Sequence, residues 1–154
     1  MKRILSIFIA LLLFATSQAQ IGRYPFARAQ VVAGDSYGEE LCPDPGFDNT
    51  AVWYEFGGYS VSGGVCSITN AADSYMIQST EYAVAGHTYR VEVTISVLSS
   101  GYVNIQLGGT ACGLETAAGT YVYEVVATNT SALYFDSNTT TTATMTAISV
   151  KEKL

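Results

Sequence analysis

The chain has 154 residues, of which 13% are charged and 49% hydrophobic, and a formal net charge of −6. Without Lys2 and Arg3, five basic residues face 13 acidic ones, a balance of −8. That excess argues against nucleic acid, which needs a basic stripe, and against anionic membrane surfaces.

Lys2 and Arg3 precede a largely apolar run, Ile4 to Ala15, and Ser17 and Ala19 place small side chains just ahead of Gln20. This three-part layout predicts a secretory signal peptide over 1–19. Its apolar run falls short of the about 20 residues that span a bilayer. The protein is therefore expected to be secreted or extracellular, with no membrane contact after cleavage. Residues 20–38, with Arg23, Pro25 and Arg28 and no period, read as an irregular N-terminal arm. Residues 39–154 read as one domain.

From Glu39 onward the pattern is β almost throughout. In "HTYRVEVTISV", Tyr89, Val91, Val93, Ile95 and Val97 fall on one face and Arg90, Glu92, Thr94 and Ser96 on the other, the alternation of a half-buried strand. "YVNIQL" repeats it, with Val103, Ile105 and Leu107 inward and Tyr102, Asn104 and Gln106 outward. The link "LSSG" between these runs is a hairpin signal. "TYVYEVVA" puts Tyr121, Tyr123 and Val125 on one face, and the last run brings Met145, Ala147 or Ile148 to the core. Turn-rich breaks ("FGGY", "SGG", "VAG", "LGG", "AAG") separate the runs. Short strands so punctuated predict an all-β fold, a jelly-roll β-sandwich.

The odd count of cysteines (Cys42, Cys66 and Cys112) permits one bridge plus a lone thiol, or three thiols. Their spacing matches no zinc motif. His87, the only histidine, sits at a turn with no partner for a catalytic arrangement nearby in sequence. No pair of acids has a recognisable setting for glycoside hydrolysis, and the glycine pairs lack the residues of a phosphate-binding loop. An enzyme is not expected.

The segments "ELCPDPGFDN", Trp53, "YSVSGGVCSIT", "MIQS", "VAGHTYRVEVTIS", "VNIQLGGT", "AGTYVYEVVAT" and "ISVKE" run in an order that resembles the galactose-binding-like jelly-roll domains related to family 4 and 9 carbohydrate-binding modules. The resemblance covers about Glu40 to Glu152 and implies non-covalent recognition of a polysaccharide or glycan. It aligns Gln78 with the family's glutamine and Trp53 with its tryptophan. It also implies a structural calcium, held by Asp48 and an acid in the last strand. That strand carries Thr146 and Ala147 instead, and a hard cation prefers charged oxygens, so no cofactor is expected. Such domains also recur in phage structural proteins, which gives the alternative: a structural or adhesion module assembling with a surface or virion protein.

The residues themselves point to sugar recognition. A pyranose has an apolar C–H face and a polar rim, which aromatic rings and planar amides complement. Read as a hairpin, the runs from His87 to Leu107 gather Arg90, Glu92, Tyr102, Asn104 and Gln106 on one outer surface, where Gln78 would join them. Tyr54 and Tyr59, beside the glycine turn, are expected to line a binding edge. Trp53, Phe56, Tyr89, Tyr121 and Tyr123 are expected to pack.

Overall fold

The computed structural model describes residues 34–154. The signal-peptide reading of 1–19, and the arm as far as residue 33, lie outside the described residues. Asp35–Leu154 forms one unit of eleven strands: β1 (Tyr37–Glu40), β2 (Trp53–Phe56), β3 (Tyr59–Ser62), β4 (Val65–Ala71), β5 (Ser74–Gln78), β6 (Thr88–Ser100), β7 (Val103–Leu107), β8 (Thr110–Glu115), β9 (Gly119–Val126), β10 (Tyr134–Ser137) and β11 (Thr141–Lys153). A 3-10 turn, Thr50–Val52, leads into β2. β1 takes in Tyr37 and Gly38, which the sequence assigned to the arm, because their backbone pairs with the end of β11.

Two antiparallel sheets face each other as a jelly-roll sandwich. Sheet A has the order β3-β4-β11-β6-β9, with β1 also on β11; sheet B has the order β2-β5-β10-β7-β8. Between them lies a continuous core. Tyr89, Val91, Val93 and Ile95 from β6 meet Val103, Ile105 and Leu107 from β7, with Phe135, Met145, Ile148 and Phe47, all at most 2% exposed. Each such side chain contributes about 1.5–3 kcal/mol by leaving water. The alternation lapses at two places. Val97 is 49% exposed, and in β11 both Met145 and Ile148 point inward because the register with β6 shifts between Met145 and Ala147. That shift is a bulge, which inserts a residue and flips the alternation, and it leaves Ala147 outside.

β6 and β7 are not a hairpin. β6 is flanked by β11 and β9, and β7 by β10 and β8. Both edges of each strand are filled, so Leu98–Ser100 continue β6 and the chain crosses between sheets at Gly101 and Tyr102 instead of reversing within one. Thr141 clamps the crossing: its Oγ1 donates to the Tyr102 carbonyl (3.1 Å) and accepts from the Tyr102 N–H (3.2 Å). Gly101 there has φ of 72°, and an added Cβ would stand 2.2 Å from Thr141 Oγ1.

All three cysteines are thiols. Burial pushes the Cys42 thiol up to about 11, the Cys112 thiol to about 12, and Cys66 higher still. Thiolate is the reactive form. In native protein at pH ~8, a colorimetric thiol reagent is expected to titrate Cys112 slowly and Cys42 and Cys66 hardly at all. Denaturation should release all three; two missing thiols would reveal a bridge instead.

Candidate functional site

The two outer faces differ in kind. On sheet A the outward groups are mostly hydroxyls and charges that satisfy one another, with Val122 and Val126 half-exposed at the β9 edge. Arg90 Nη2 lies 2.7 Å from Glu92 Oε2, and the Arg90 guanidinium sits over the Tyr37 ring. His87 pairs with Glu152 at 2.7 Å, Lys153 with Glu124 at 3.1 Å, and Thr94 with Thr120 at 3.1 Å. Tyr37 and Lys153 both donate to Glu124, which lowers its pKa.

Sheet B carries rings on its outer face. Strand register places Tyr54, Ile77, Tyr134 and Gln106 in one row across four strands, and Phe56, Tyr75, Asp136, Asn104 and Leu114 in the next. Tyr54 is 67% exposed, Phe56 52% and Leu114 54%. The Phe56 and Tyr75 rings stack at 4.9 Å and 18°, close to the spacing of neighbouring strands. Tyr75 and Tyr134, diagonal neighbours, stack at 5.7 Å and 27°. Rings stacked across strands stand on the sheet and cover one another's inner faces. That leaves the far sides of Phe56 and Tyr134 as the open ends of the stack.

Beside Tyr134 lies a pocket of about 240 Å³ lined by Ile77, Gln106, Gly109, Ser131, Ala132 and Tyr134. Its rim is firm, because the Gly108 carbonyl accepts from Thr128 N (2.7 Å), Asn129 N (3.0 Å) and Thr128 Oγ1 (3.1 Å). The Tyr134 phenol is raised, first by burial and then by the Asp136 charge, so its hydroxyl stays a donor.

The polar half of the face is a small network. Asn104 Nδ2 (2.9 Å) and Gln106 Nε2 (3.0 Å) both donate to Asp136 Oδ2. A carboxylate that only accepts settles which way both amides turn, and their carbonyl oxygens remain free of it. Asp136 is 8% exposed, and its Oδ1 has no hydrogen-bond partner.

The structure therefore divides the residues expected from the sequence. Asn104 and Gln106 share the sheet B face with Tyr54, and Tyr102 stands just before β7, half-buried. Arg90 and Glu92 lie on the opposite side of the sandwich, since β6 belongs to sheet A. Gln78 points into the core: it is 3% exposed, its Nε2 donates to Cys42 Sγ at 3.0 Å, and its Oε1 accepts from Tyr82. Tyr59, 4% exposed, is core as well. Phe56, expected to pack, is out on the face, whereas Trp53, two residues before Glu55, is buried at 6%. Tyr89 is fully buried, and Tyr121 and Tyr123 pack against the core at the β9 edge. Tyr75, Ile77, Tyr134 and Asp136 were missed. Their signal was present in the alternation of "SYMIQ" and "YFDS", but apolar residues on both faces hid which set turned outward.

Among the described residues, no three His, Cys, Asp or Glu side chains converge as a metal site. Neither a family model nor a curated protein sequence matches the chain. Among solved structures, an α-L-arabinofuranosidase with arabinose bound is similar at a TM-score of 0.50 and 11% identity, over 77% of this chain and 27% of that one. A mutant of a family 29 carbohydrate-binding module gives 0.47 and 10%, over 77% and 92%. A second mutant structure from that family gives 0.44 and 7%, over 70% and 86%. The likeness is one of fold. This chain spans about a quarter of the enzyme's length.

Proposed function

We propose that the protein is a secreted, non-catalytic carbohydrate-binding module that takes a glycan on the outer face of sheet B. The observation that carries this reading is the contrast between the faces. One presents ion pairs, paired hydroxyls and, on β9, the separate valines Val122 and Val126; the other leaves the contiguous rings Tyr54, Phe56, Tyr75 and Tyr134 at the surface beside two amides. Scattered apolar residues are ordinary on a surface, whereas a contiguous exposed apolar patch marks an interaction site. The far side of Tyr134 would meet the C–H face of a sugar, with Ile77 as floor and Gln106 giving and accepting hydrogen bonds at the rim. At about 240 Å³ the pocket is below the roughly 300–1,000 Å³ of drug-sized sites, a size for one sugar ring. Little area is buried per ring, so the expected Kd lies between micromolar and millimolar.

Affinity gels and calorimetry over a panel of polysaccharides test the reading. Tyr134→Ala is expected to weaken binding at least ~10-fold, and Arg90→Ala, on the far sheet, to leave it unchanged. Equal retention of wild type and Tyr134→Ala on every polysaccharide removes the assignment. The exposed Phe56 and Leu114 also suit a protein partner, as in a surface or virion assembly. A stable oligomer that Phe56→Ser dissociates would favour that reading.

A further inference from the structure

We infer that Asp136 makes this face selective for uncharged glycans and against acidic ones. The inference rests on the carbohydrate reading and concerns which sugars the face accepts. Asp136 lies at the centre of the face, flanked in its row by Tyr75 and Asn104, and is the charged side chain of the two rows. The described cations, Arg90, Lys151 and Lys153, all belong to β6 and β11 of sheet A, on the other side of the sandwich. No Lys or Arg among the described residues therefore stands beside Asp136 to neutralise it.

The buried position is costly unless it serves something. A carboxylate needs donors for both oxygens when it leaves water, yet Asp136 Oδ1 has none, and such an unsatisfied group calls for an explanation. Both donors converge on Oδ2 and are themselves outward-facing amides of the candidate site. Asp136 thus does two jobs. It holds Asn104 and Gln106 with their carbonyl oxygens turned towards a ligand, ready to accept from sugar hydroxyls. It also fixes a negative potential under the place where the sugar's polar rim would lie. A uronate or sulfate there meets like charge, with water partly excluded by the rings, and like charges juxtaposed in an interface are strongly unfavourable.

The test compares neutral oligosaccharides with the same oligosaccharides oxidised at C6 to carboxylates, using the full protein and calorimetry. The expected result is binding of the carboxylated form at least ~10-fold weaker at low salt, with the gap closing from ~50 to ~500 mM salt as the repulsion is screened. Binding of the neutral form should not change over that range. Asp136→Asn should narrow the gap, whereas Glu124→Gln, which removes the same charge from sheet A, should not. Equal or tighter binding of the carboxylated form by wild type overturns the inference while leaving carbohydrate recognition in place. So does a gap that both variants narrow alike, since the overall negative charge would then explain it. If neither form of any oligosaccharide binds, both readings fall.

Discussion

Replacing Asp44 with alanine is expected to cost about 4 kcal/mol of stability. Asp44 is 5% exposed, and its carboxylate accepts three hydrogen bonds. Asp48 N donates to Oδ1 at 2.8 Å, and Asn49 N and Trp53 Nε1 donate to Oδ2 at 3.1 and 2.8 Å. Pro43 and Pro45 on either side restrict the backbone and bring no N–H that would need a partner. Within this turn Phe47 adopts φ of 58°, a conformation that costs of order 1 kcal/mol and persists only where the surroundings enforce it. Phe47 is fully buried against Trp53, with ring centroids 5.4 Å apart, and Trp53 in turn meets Phe135 at 6.3 Å. The carboxylate therefore holds together the loop that seats two aromatic rings in the core.

Alanine leaves three donors without partners, and each buried one costs about 1–3 kcal/mol. Asparagine keeps one acceptor oxygen but turns an N–H₂ towards another donor, so Asp44→Asn should lose about half as much. Urea unfolding followed by the fluorescence of Trp53, the only tryptophan, reads both. For a domain of this size the alanine variant should melt on the order of 15 °C lower. A loss below ~1 kcal/mol would mean the carboxylate is worth no more than a surface ion pair, and that packing of Phe47 alone shapes the loop.

What the sequence made legible follows from what each signal depends on. Alternation depends only on immediate neighbours, so it correctly turned Val103, Ile105 and Leu107 in and Asn104 and Gln106 out. Sheet membership depends on partners far along the chain. "LSSG" is equally good as a turn within a sheet or as a crossing between sheets, and only the arrival of β11 and β9 at the two edges of β6 decides it. Parity corrects one further expectation: Trp53 and Phe56 are three residues apart in a strand and so cannot share a face. With Trp53 buried, Phe56 must point outward with Tyr54. The glycine pair after Phe56 then resets the pattern, and Tyr59 turns inward. Tyr134 and Asp136 were hidden for another reason. Phe135 lies between them, and the four residues "YFDS" are too short a run for alternation to decide which ring turns inward.

Removing the middle ring of the stack should damage the candidate site as much as removing the ring that would touch the sugar. Tyr75 contacts Phe56 on one side and Tyr134 on the other, and aromatic pairs of this kind contribute about 0.5–1.5 kcal/mol each beyond their buried area. Tyr75→Ala breaks two pairs and leaves a gap one strand wide, into which Phe56 and Tyr134 can tilt. The expected outcome is about 2 kcal/mol of lost stability together with at least ~10-fold weaker glycan binding, although Tyr75 itself offers a ligand little open surface. Tyr75→Phe keeps the ring and loses only the hydroxyl, so it should restore both quantities. That pairing separates positioning from contact: a direct hydrogen bond from the Tyr75 hydroxyl would make Phe as poor as Ala. If Tyr75→Ala binds as wild type does while Tyr134→Ala does not, Tyr134 is held by its pocket wall alone, and the stack has no part in presenting it.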